Sequence, residues 1–220
     1  MAGMIAHWGV GTFSTDFSNN PIAFLDRDGV INVGRPGYVN RPSEMELLPN
    51  AAHALAALRE AGFSICVVTN QSAISRGLWD HARLESIHKE LQRLLLEENE
   101  RGYVDLFLTC PHKYEDGCGC RKPSPEMLHL GHRLLRRDNI NGLREFQSEI
   151  YQPSGDLVDW WAEKSLPVNS LDLMVGDRRS DMGAGWAYGA RIFRVRADEG
   201  VHSTLSRLLD VNDAGDFFRP

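Results

Sequence analysis

Two carboxylates stand two residues apart in the tetrapeptide Asp26-Arg27-Asp28-Gly29. They follow the apolar run Ile22-Ala23-Phe24-Leu25, a pattern that predicts a buried strand with an abrupt end. Ligands of open α/β sheets bind beyond the carboxyl ends of the strands. The two side chains can therefore serve one site, where one attacks or binds a metal and the other moves protons. Alone, the motif is better explained as a solvated acidic turn.

Three more polar motifs lie next to predicted elements. Thr69-Asn70-Gln71-Ser72 follows one apolar run, and Gly176-Asp177-Arg178-Arg179-Ser180-Asp181 follows another. Arg121-Lys122-Pro123 precedes a predicted helix. Each motif alone is also typical of a turn or a helix start. Four such motifs in this order make coincidence improbable and indicate one composite site.

The residue types fit phosphoryl transfer through an aspartyl-phosphate. A carboxylate nucleophile divides a difficult hydrolysis into two easier steps. Because the phosphate is also anionic, the site needs a hard cation with oxygen ligands, and Mg²⁺ is suited to that role. Asp177 can complete the metal site, Lys122 supplies a fixed ammonium, and Thr69 with nearby N–H groups supplies donors. Asp28 can protonate the leaving alcohol and later deprotonate water.

Three of the four cysteines lie in a short loop, residues 110–120, with the pattern C-x-H-x5-C-x-C. Three thiolates and an imidazole form a normal structural Zn²⁺ set without an open position, here Cys110, His112, Cys118 and Cys120. The alternative is a reactive or disulfide-bonded loop, which a reducing compartment disfavours. Because Arg121 and Lys122 follow directly, the metal is expected to hold these two cations over the phosphate.

Composition limits the class of protein. The chain has 220 residues, of which 42% are hydrophobic and 25% charged, with a net charge of −6. This is ordinary for a globular protein with one substantial core, and it argues against a broad nucleic-acid surface. No apolar run is long enough to span a bilayer, and no secretory signal is visible. We expect a cytoplasmic monomer that acts on a small phosphorylated metabolite, with no nucleic-acid or membrane partner.

The elements that must position these motifs alternate between strands and helices. Predicted strands cover residues 21–26, 63–69, 104–109, 171–176 and 191–195. Predicted helices cover 49–61, 80–101, 124–136, about 155–165, 180–188 and 201–209. Such alternation predicts an α/β fold, a Rossmann-like and mostly parallel sheet with helices on both faces.

The chain divides into one main domain with additions. Residues 1–20 are expected to form a loosely held N-terminal arm, 21–197 the main domain, and 198–220 a C-terminal helix and tail. The Gly- and Pro-rich loop 32–48 should overhang the site. The polar stretch 137–158 interrupts the pattern, and we interpret it as a surface insertion.

The order Asp-x-Asp-Gly, Thr, Lys and Gly-Asp-x-x-x-Asp resembles phosphatases of the haloacid-dehalogenase (HAD) superfamily, over about residues 21–136 and 166–196. The resemblance implies Asp26 as nucleophile and Asp28 as general acid and base. It also implies Mg²⁺ held by Asp26, the backbone carbonyl of Asp28, and Asp177. Asp181 would support the metal without binding it directly, and a charge at a helix N-terminus is the alternative explanation. No interval is long enough for a large cap domain.

The zinc loop followed by Cys-Arg-Lys-Pro is similar to a branch that contains heptose bisphosphate phosphatases and histidinol-phosphate phosphatases. Residues 26–33, 37–39 and 69–77 resemble the heptose group, whereas the short zinc loop and Gly176-Asp177-Arg178 occur in both. The implied pocket residues are Gly37, Tyr38, Thr69, Asn70, Gln71, Ser72, Arg121, Lys122 and Arg178. Histidinol-phosphate phosphatase is the main alternative, and a nucleic-acid-end phosphatase is a weaker one. A non-catalytic, zinc-stabilised phosphosugar-binding module is disfavoured by the complete set of acidic and basic residues.

Overall fold

The computed structural model describes residues 3–9, 12–13, 20–136, 142–143, 146–152, 161, 164–166 and 169–220. The strands are β1 Met4–Trp8, β2 Thr12–Phe13, β3 Ile22–Leu25, β4 Ser64–Asn70, β5 Leu106–Cys110, β6 Gly142–Leu143, β7 Gln147–Tyr151, β8 Leu173–Gly176 and β9 Arg191–Arg194. The α-helices are α1 Ala51–Glu60, α2 His81–Glu98, α3 Glu126–Leu135, α4 Arg179–Tyr188 and α5 Leu205–Leu209.

A seven-stranded sheet with the order β7-β1-β5-β4-β3-β8-β9 forms the centre of the molecule. The five strands from β5 to β9 in this order are parallel, so the predicted α/β fold is confirmed. Leu25 of β3 lies opposite Val67 of β4 and Val175 of β8. This register brings the carboxyl ends of β3, β4 and β8 to the same edge of the sheet.

Helices cover both faces of the sheet. Buried side chains of α1, α2 and α5 pack on one face, and those of α3 and α4 pack on the other. The buried apolar residues of α2 recur every three or four positions, which is the stripe expected of a helix packed on a core, at Leu84, Ile87, Leu91 and Leu95. Among the described residues, no helix combines the length and the apolar character needed to cross a membrane.

The prediction of a loosely held arm over residues 1–20 is wrong for its first part. Met4–Trp8 form β1, whose five residues are all buried. This strand runs antiparallel to β5 on one side and to β7 on the other. The partner β7 lies in the predicted insertion, so part of residues 137–158 belongs to the sheet as its edge strand. The helix predicted at about 155–165 falls mostly outside the described residues.

The last segment of the chain departs from the prediction in detail. The predicted helix 201–209 is a 3-10 turn over Val201–Thr204 followed by the single turn α5. The tail then lies along β9, where the Arg194 amide donates to Asp216 Oδ2 at 2.7 Å and the Asp216 amide donates to the Ile192 carbonyl at 2.7 Å. It covers an edge of the sheet that would otherwise expose unpaired backbone groups.

Ile5→Ala is expected to destabilise the protein by about 2–5 kcal/mol, because it removes a large side chain from a packed core. Ile5 is completely buried in β1. The matched control is Ile150→Ala, which changes the residue directly opposite on β7, 54% exposed, and should have a smaller effect. Urea unfolding measures both. Equal free energies of unfolding for Ile5→Ala and the wild type would mean that β1 does not pack as described.

Candidate active site

Four segments meet at the carboxyl edge of the sheet. Asp26 follows β3, Thr69 and Asn70 end β4, and the turn after β8 leads into α4. Lys122 comes from the loop before α3. They surround one pocket, lined by Asp26, Asp28, Thr69, Asn70, Lys122, Arg178, Ser180 and Asp181. The prediction that separate sequence motifs converge at one edge agrees with this arrangement.

Two glycines stand where the backbone and side chains of the site approach closely. Gly29 has a φ of +81°, and a Cβ there would lie 2.9 Å from an Asp177 carboxylate oxygen. A Cβ on Gly176 would lie 2.1 Å from the Cβ of Asp181. A side chain at position 29 would therefore separate the motif after β3 from the motif after β8, and one at position 176 would displace Asp181.

The Lys122 ammonium is the most constrained cation of the site. Its Nζ lies 2.8 Å from Asp26 Oδ1 and 2.7 Å from Asp181 Oδ1, and it donates to the Val68 carbonyl at 2.7 Å. Burial alone would lower its pKa, but the charges of Asp181 and Asp26 outweigh burial and raise the pKa. The side chain is therefore a permanent, buried positive charge next to Asp26.

Asp26, Asp177 and Asp181 form a carboxylate cluster. One ligand atom from each lies within 4.8 Å of the others. Burial raises the pKa of Asp26 to about 6, opposed by Lys122 and reinforced by the charge of Asp181. Burial, and then the charge of Asp26, also raise the pKa of Asp177, whose buried Oδ1 has no hydrogen-bond partner among the described residues. These crowded carboxylates are costly to ionise without a compensating charge, and a hard divalent cation such as Mg²⁺ would supply that charge.

The Asp28 carboxylate is held by donors from three residues. Arg27 Nη2 donates to Oδ1 at 3.1 Å and to Oδ2 at 2.9 Å. Asn32 Nδ2 donates to Oδ1 at 2.9 Å, and Gln71 Nε2 donates to Oδ2 at 2.8 Å. Burial would raise the pKa of Asp28, but the charge of Arg27 and these hydrogen bonds hold it below its ordinary value. In the resting site Asp28 is therefore a carboxylate.

Thr69 and Asn70 present their side chains differently. The Thr69 hydroxyl accepts the Gln71 amide at 2.9 Å, which leaves its own O–H as a donor toward the pocket. Asn70 donates to the Lys122 carbonyl and accepts from the Lys122 amide, both at 3.1 Å. This reciprocal pair fixes the backbone from which the Lys122 side chain extends.

Arg178 and Asp181 lie at the start of α4. The Arg178 side chain is 72% exposed, and its Nε lies 3.8 Å from Asp177 Oδ2. Asp181 Oδ2 accepts the Arg178 amide at 3.0 Å, while its Oδ1 faces Lys122. Asp181 is thus both a helix-terminal carboxylate and a partner of the site, which joins the two interpretations of the sequence.

The other predicted substrate residues are not among the described residues that line the pocket. The Tyr38 hydroxyl and the Ser72 hydroxyl are hydrogen-bonded at 2.9 Å, which ties the loop that also contains Gly37 to the loop after β4. The Arg121 guanidinium donates to the His112 carbonyl at 2.8 Å. Gln71 is 1% exposed.

The cysteine and histidine side chains of the 110–120 loop converge in a second cluster. Cys110 Sγ lies 3.6 Å from Cys118 Sγ and 3.3 Å from Cys120 Sγ, and His112 Nδ1 lies 3.3 Å from Cys120 Sγ. A tetrahedral zinc with Zn–S bonds of about 2.3 Å spaces its thiolates by roughly 3.7 Å, so the four side chains fit that ion. All four described cysteines are free thiols, and the disulfide alternative is not supported.

Sequence reasoning missed Arg27 and Asn32 as parts of the site. Arg27 has no role in the predictions made from the sequence, yet its side chain is fully buried and reaches back to Asp28. Asn32 lies four residues after Asp28, and only its polar type in an otherwise apolar stretch could have indicated a role. Ser180, which lines the pocket, was also not singled out.

Comparisons with known proteins place the chain among bacterial enzymes. It is 42% identical over 179 residues to the D-glycero-β-D-manno-heptose-1,7-bisphosphate 7-phosphatase of Pseudomonas putida, which covers 81% of this chain and 84% of that protein. It is 43% identical over 160 residues to the D-glycero-α-D-manno-heptose-1,7-bisphosphate 7-phosphatase of Mycobacterium tuberculosis, covering 72% and 68%. The β-anomer relative from Pseudomonas aeruginosa is 45% identical over 107 residues, and the chain spans 59% of its length. A scan against protein-family models finds no match.

Solved structures give the same assignment. The D,D-heptose 1,7-bisphosphate phosphatase of B. bronchiseptica, complexed with magnesium and phosphate, matches with a TM-score of 0.60 and 31% identity, covering 85% of this chain and 86% of that one. A Mesorhizobium loti protein assigned to the HAD-like phosphatases matches with a TM-score of 0.66 and 27% identity, covering 100% and 98%. Fold and site together define a HAD-like phosphatase. Within that class, the chain belongs to the family of D-glycero-D-manno-heptose-1,7-bisphosphate 7-phosphatases.

Proposed function

We propose that the protein is a Mg²⁺-dependent phosphatase that removes the 7-phosphate of D-glycero-D-manno-heptose 1,7-bisphosphate through an aspartyl-phosphate. The observation that carries the chemistry is the buried Lys122 ammonium, 2.8 Å from Asp26 Oδ1 and beside the carboxylate cluster. A fixed cation here lets an anionic nucleophile approach an anionic phosphate.

In the first half-reaction a carboxylate oxygen of Asp26 attacks the phosphorus atom, and the sugar alcohol leaves with a proton from Asp28. Asp28 rests as a carboxylate because Arg27 and its hydrogen bonds lower its pKa. The charge of a bound phosphate nearby raises that pKa, since like charges favour the neutral acid. Binding of the substrate therefore prepares Asp28 to act as the acid.

In the second half-reaction Asp28 removes a proton from water, and the resulting hydroxide attacks the phosphorus atom and releases Asp26. The low resting pKa of Asp28 suits its return to the carboxylate form once the alcohol has left. Lys122 and the Thr69 hydroxyl hold the phosphate oxygens during both steps. The Arg178 side chain, which is exposed at the pocket, is available to contact the sugar or its other phosphate.

Two metal ions fit the proposal. Mg²⁺ would be held by Asp26, the backbone carbonyl of Asp28, and Asp177, with Asp181 supporting it through Lys122 and the start of α4. When bound, this ion would supply charge that offsets the repulsion between the nucleophile and the phosphate. Zn²⁺ would be held by the Cys110, His112, Cys118 and Cys120 cluster, which leaves no open position and therefore serves structure.

The substrate assignment is supported by the relatives and by the lack of a cap domain among residues 20–136. Residues 20–136 are all described, and they contain no separate cap domain over the pocket. Its described lining residues follow β3, end β4, precede α3 and begin α4. A site without a separate cap domain suits a small sugar phosphate. Relatives named for either anomer match at nearly equal identity, 42% and 43%, so both anomers belong in the assay.

A phosphatase panel with Mg²⁺ is the test. We expect kcat/KM for heptose 1,7-bisphosphate to exceed that for histidinol phosphate by about 100-fold or more, a margin that polar recognition in the pocket can provide. The panel contains both anomers of the bisphosphate, histidinol phosphate and a 5′-phosphorylated oligonucleotide. Phosphorus NMR should show loss of the 7-phosphate signal with retention of the 1-phosphate signal.

The alternatives give different results in the same panel. A preference for histidinol phosphate would replace the substrate assignment and retain the mechanism. Cleavage of the oligonucleotide with the highest kcat/KM would indicate an end-processing enzyme. Calorimetric binding of heptose bisphosphate without hydrolysis in the presence of Mg²⁺ would indicate the non-catalytic binding module.

A further inference from the structure

The amide of Gln71 joins two residues of the reaction centre. Its Nε2 donates to Asp28 Oδ2 at 2.8 Å and to Thr69 Oγ1 at 2.9 Å. Asp28 and Thr69 both line the pocket, whereas Gln71 lies behind them. The two N–H donors of one amide group are thus shared between the acid/base carboxylate and a hydroxyl that faces the phosphate.

The orientation of this amide is determined by its neighbours. A flipped amide would place Oε1 against the Asp28 carboxylate, and two acceptors repel each other at that distance. The same reasoning fixes Asn32, whose Nδ2 donates to Asp28 Oδ1 at 2.9 Å and to the Val33 carbonyl at 3.0 Å. Each carboxylate oxygen of Asp28 therefore accepts a hydrogen bond from a neutral amide, in addition to those from the charged Arg27.

Gln71 is also anchored through its backbone. Its amide N–H donates to the Cys110 carbonyl at 2.8 Å, so the residue is fixed to the end of β5 at the cysteine cluster. Its side chain is 1% exposed, which leaves no surface for a sugar to contact. A residue held at both ends and closed to solvent can orient its neighbours but cannot bind the substrate directly.

We propose that Gln71 is a positioning residue that fixes the Asp28 carboxylate relative to the Thr69 hydroxyl, and is not a substrate-binding residue. This inference rests on the proposed function. The Thr69 hydroxyl marks the phosphate position, and Asp28 must reach the oxygen that leaves that phosphate. The Gln71 amide sets the distance between the two groups, and with it the alignment of the proton transfer.

A comparison of substrates with different leaving groups tests this positioning role. A sugar alkoxide leaves only with a proton, whereas p-nitrophenolate is a weak base and leaves without one. Misplacement of Asp28 therefore slows aspartyl-phosphate formation from a sugar phosphate much more than from p-nitrophenyl phosphate. Because kcat/KM reports the steps up to formation of that intermediate, it is the quantity to compare between the two substrates.

The experiment uses Gln71→Met, which keeps the side-chain length and removes both N–H donors. We expect kcat/KM for heptose bisphosphate to fall by about 100-fold, mainly in kcat with KM within about threefold, as for a misaligned catalytic group. The loss for p-nitrophenyl phosphate should stay below about threefold, because that reaction needs little acid catalysis. Gln71→Asn, which keeps an amide but is too short to reach both partners, should show the same pattern with a smaller loss. Ser75→Ala, an exposed change in the same loop, is the control.

The outcomes are separable. Equal losses with both substrates, or a rise in KM with unchanged kcat, would overturn the positioning role, and the second result would restore Gln71 as a substrate contact. If Gln71→Met melts at a lower temperature than the wild type, the substrate comparison with Gln71→Asn decides in the same way. A wild type that hydrolyses neither substrate overturns the proposed function and this inference with it.

Discussion

Asp26→Asn is expected to lower kcat/KM by at least about 10⁴-fold, the order of loss seen when a covalent nucleophile is removed from an enzyme. The amide has no anionic oxygen to attack phosphorus, and no neighbouring group occupies the same place. Phosphate release from heptose bisphosphate, followed with Mg²⁺ in excess, measures the change. Activity within tenfold of the wild type would exclude Asp26 as the nucleophile.

The Asp26→Asn variant should remain folded. Burial raises the pKa of Asp26 to about 6, so at neutral pH the ionised form is held at a cost in stability that a neutral amide removes. Lys122 keeps its contacts with Asp181 and with the Val68 carbonyl. We therefore expect the thermal midpoint, measured without added Mg²⁺, to equal or exceed that of the wild type.

A matched control separates the loss of the nucleophile from the loss of a charge. Asp198→Asn removes one carboxylate from an exposed position, where Asp198 pairs with Arg196. It should leave both kcat/KM and the thermal midpoint close to the wild-type values, since exposed ion pairs contribute little. A comparable loss in both variants would point to long-range electrostatics as the cause.

The motifs of the candidate active site were predictable because each one is local. Asp26, Thr69 and Asp177 each follow an apolar run in the sequence, and the carboxyl ends of parallel strands meet at one edge. The five parallel strands were predictable for the same reason, since each is a short apolar run bounded by turn residues. At most of the strand ends, the observed limit differs from the predicted limit by one or two residues.

What escaped prediction depends on contacts between distant residues. β1 is buried because β7, more than a hundred residues later, pairs with it. β7 itself is polar, as an exposed edge strand must be, and nothing in its local pattern distinguishes it from a loop. Likewise the direction of the Arg27 and Gln71 side chains follows from the backbone turn after each strand. Residue type alone could assign them to a solvated loop or to substrate binding.

Loss of the ion from the cysteine and histidine cluster is the second large effect that we expect. Cys118→Ser should reduce the zinc content from about one per chain toward none, because a structural site needs all four ligands. A ligand present at about 1,000 times its Kd contributes about 4 kcal/mol to stability. For a chain of this size, its loss corresponds to a fall of roughly 10 °C in the thermal midpoint. Mass spectrometry of the native protein and calorimetry measure the two changes.

The composition of the 110–120 loop explains why loss of the metal should lower the stability. Between His112 and Cys118 its regular structure is one 3-10 turn, Tyr114–Asp116, and the Tyr114 side chain is 81% exposed. The loop therefore has little apolar contact of its own, and the metal must replace it. The matched control is Cys66→Ala, which removes the buried cysteine outside the cluster. The Cys66→Ala variant should retain about one zinc per chain.

Activity should fall together with zinc, because Cys120 is separated from Lys122 by a single residue. Cys118→Ser frees the segment that fixes Lys122, and we expect kcat to fall by about 100-fold, the cost of a misplaced catalytic group. Native protein with no zinc and a Cys110–Cys118 disulfide would contradict the assignment. The assay is run well below both thermal midpoints, because a lower kcat then reports the position of Lys122 and not a smaller fraction of folded protein.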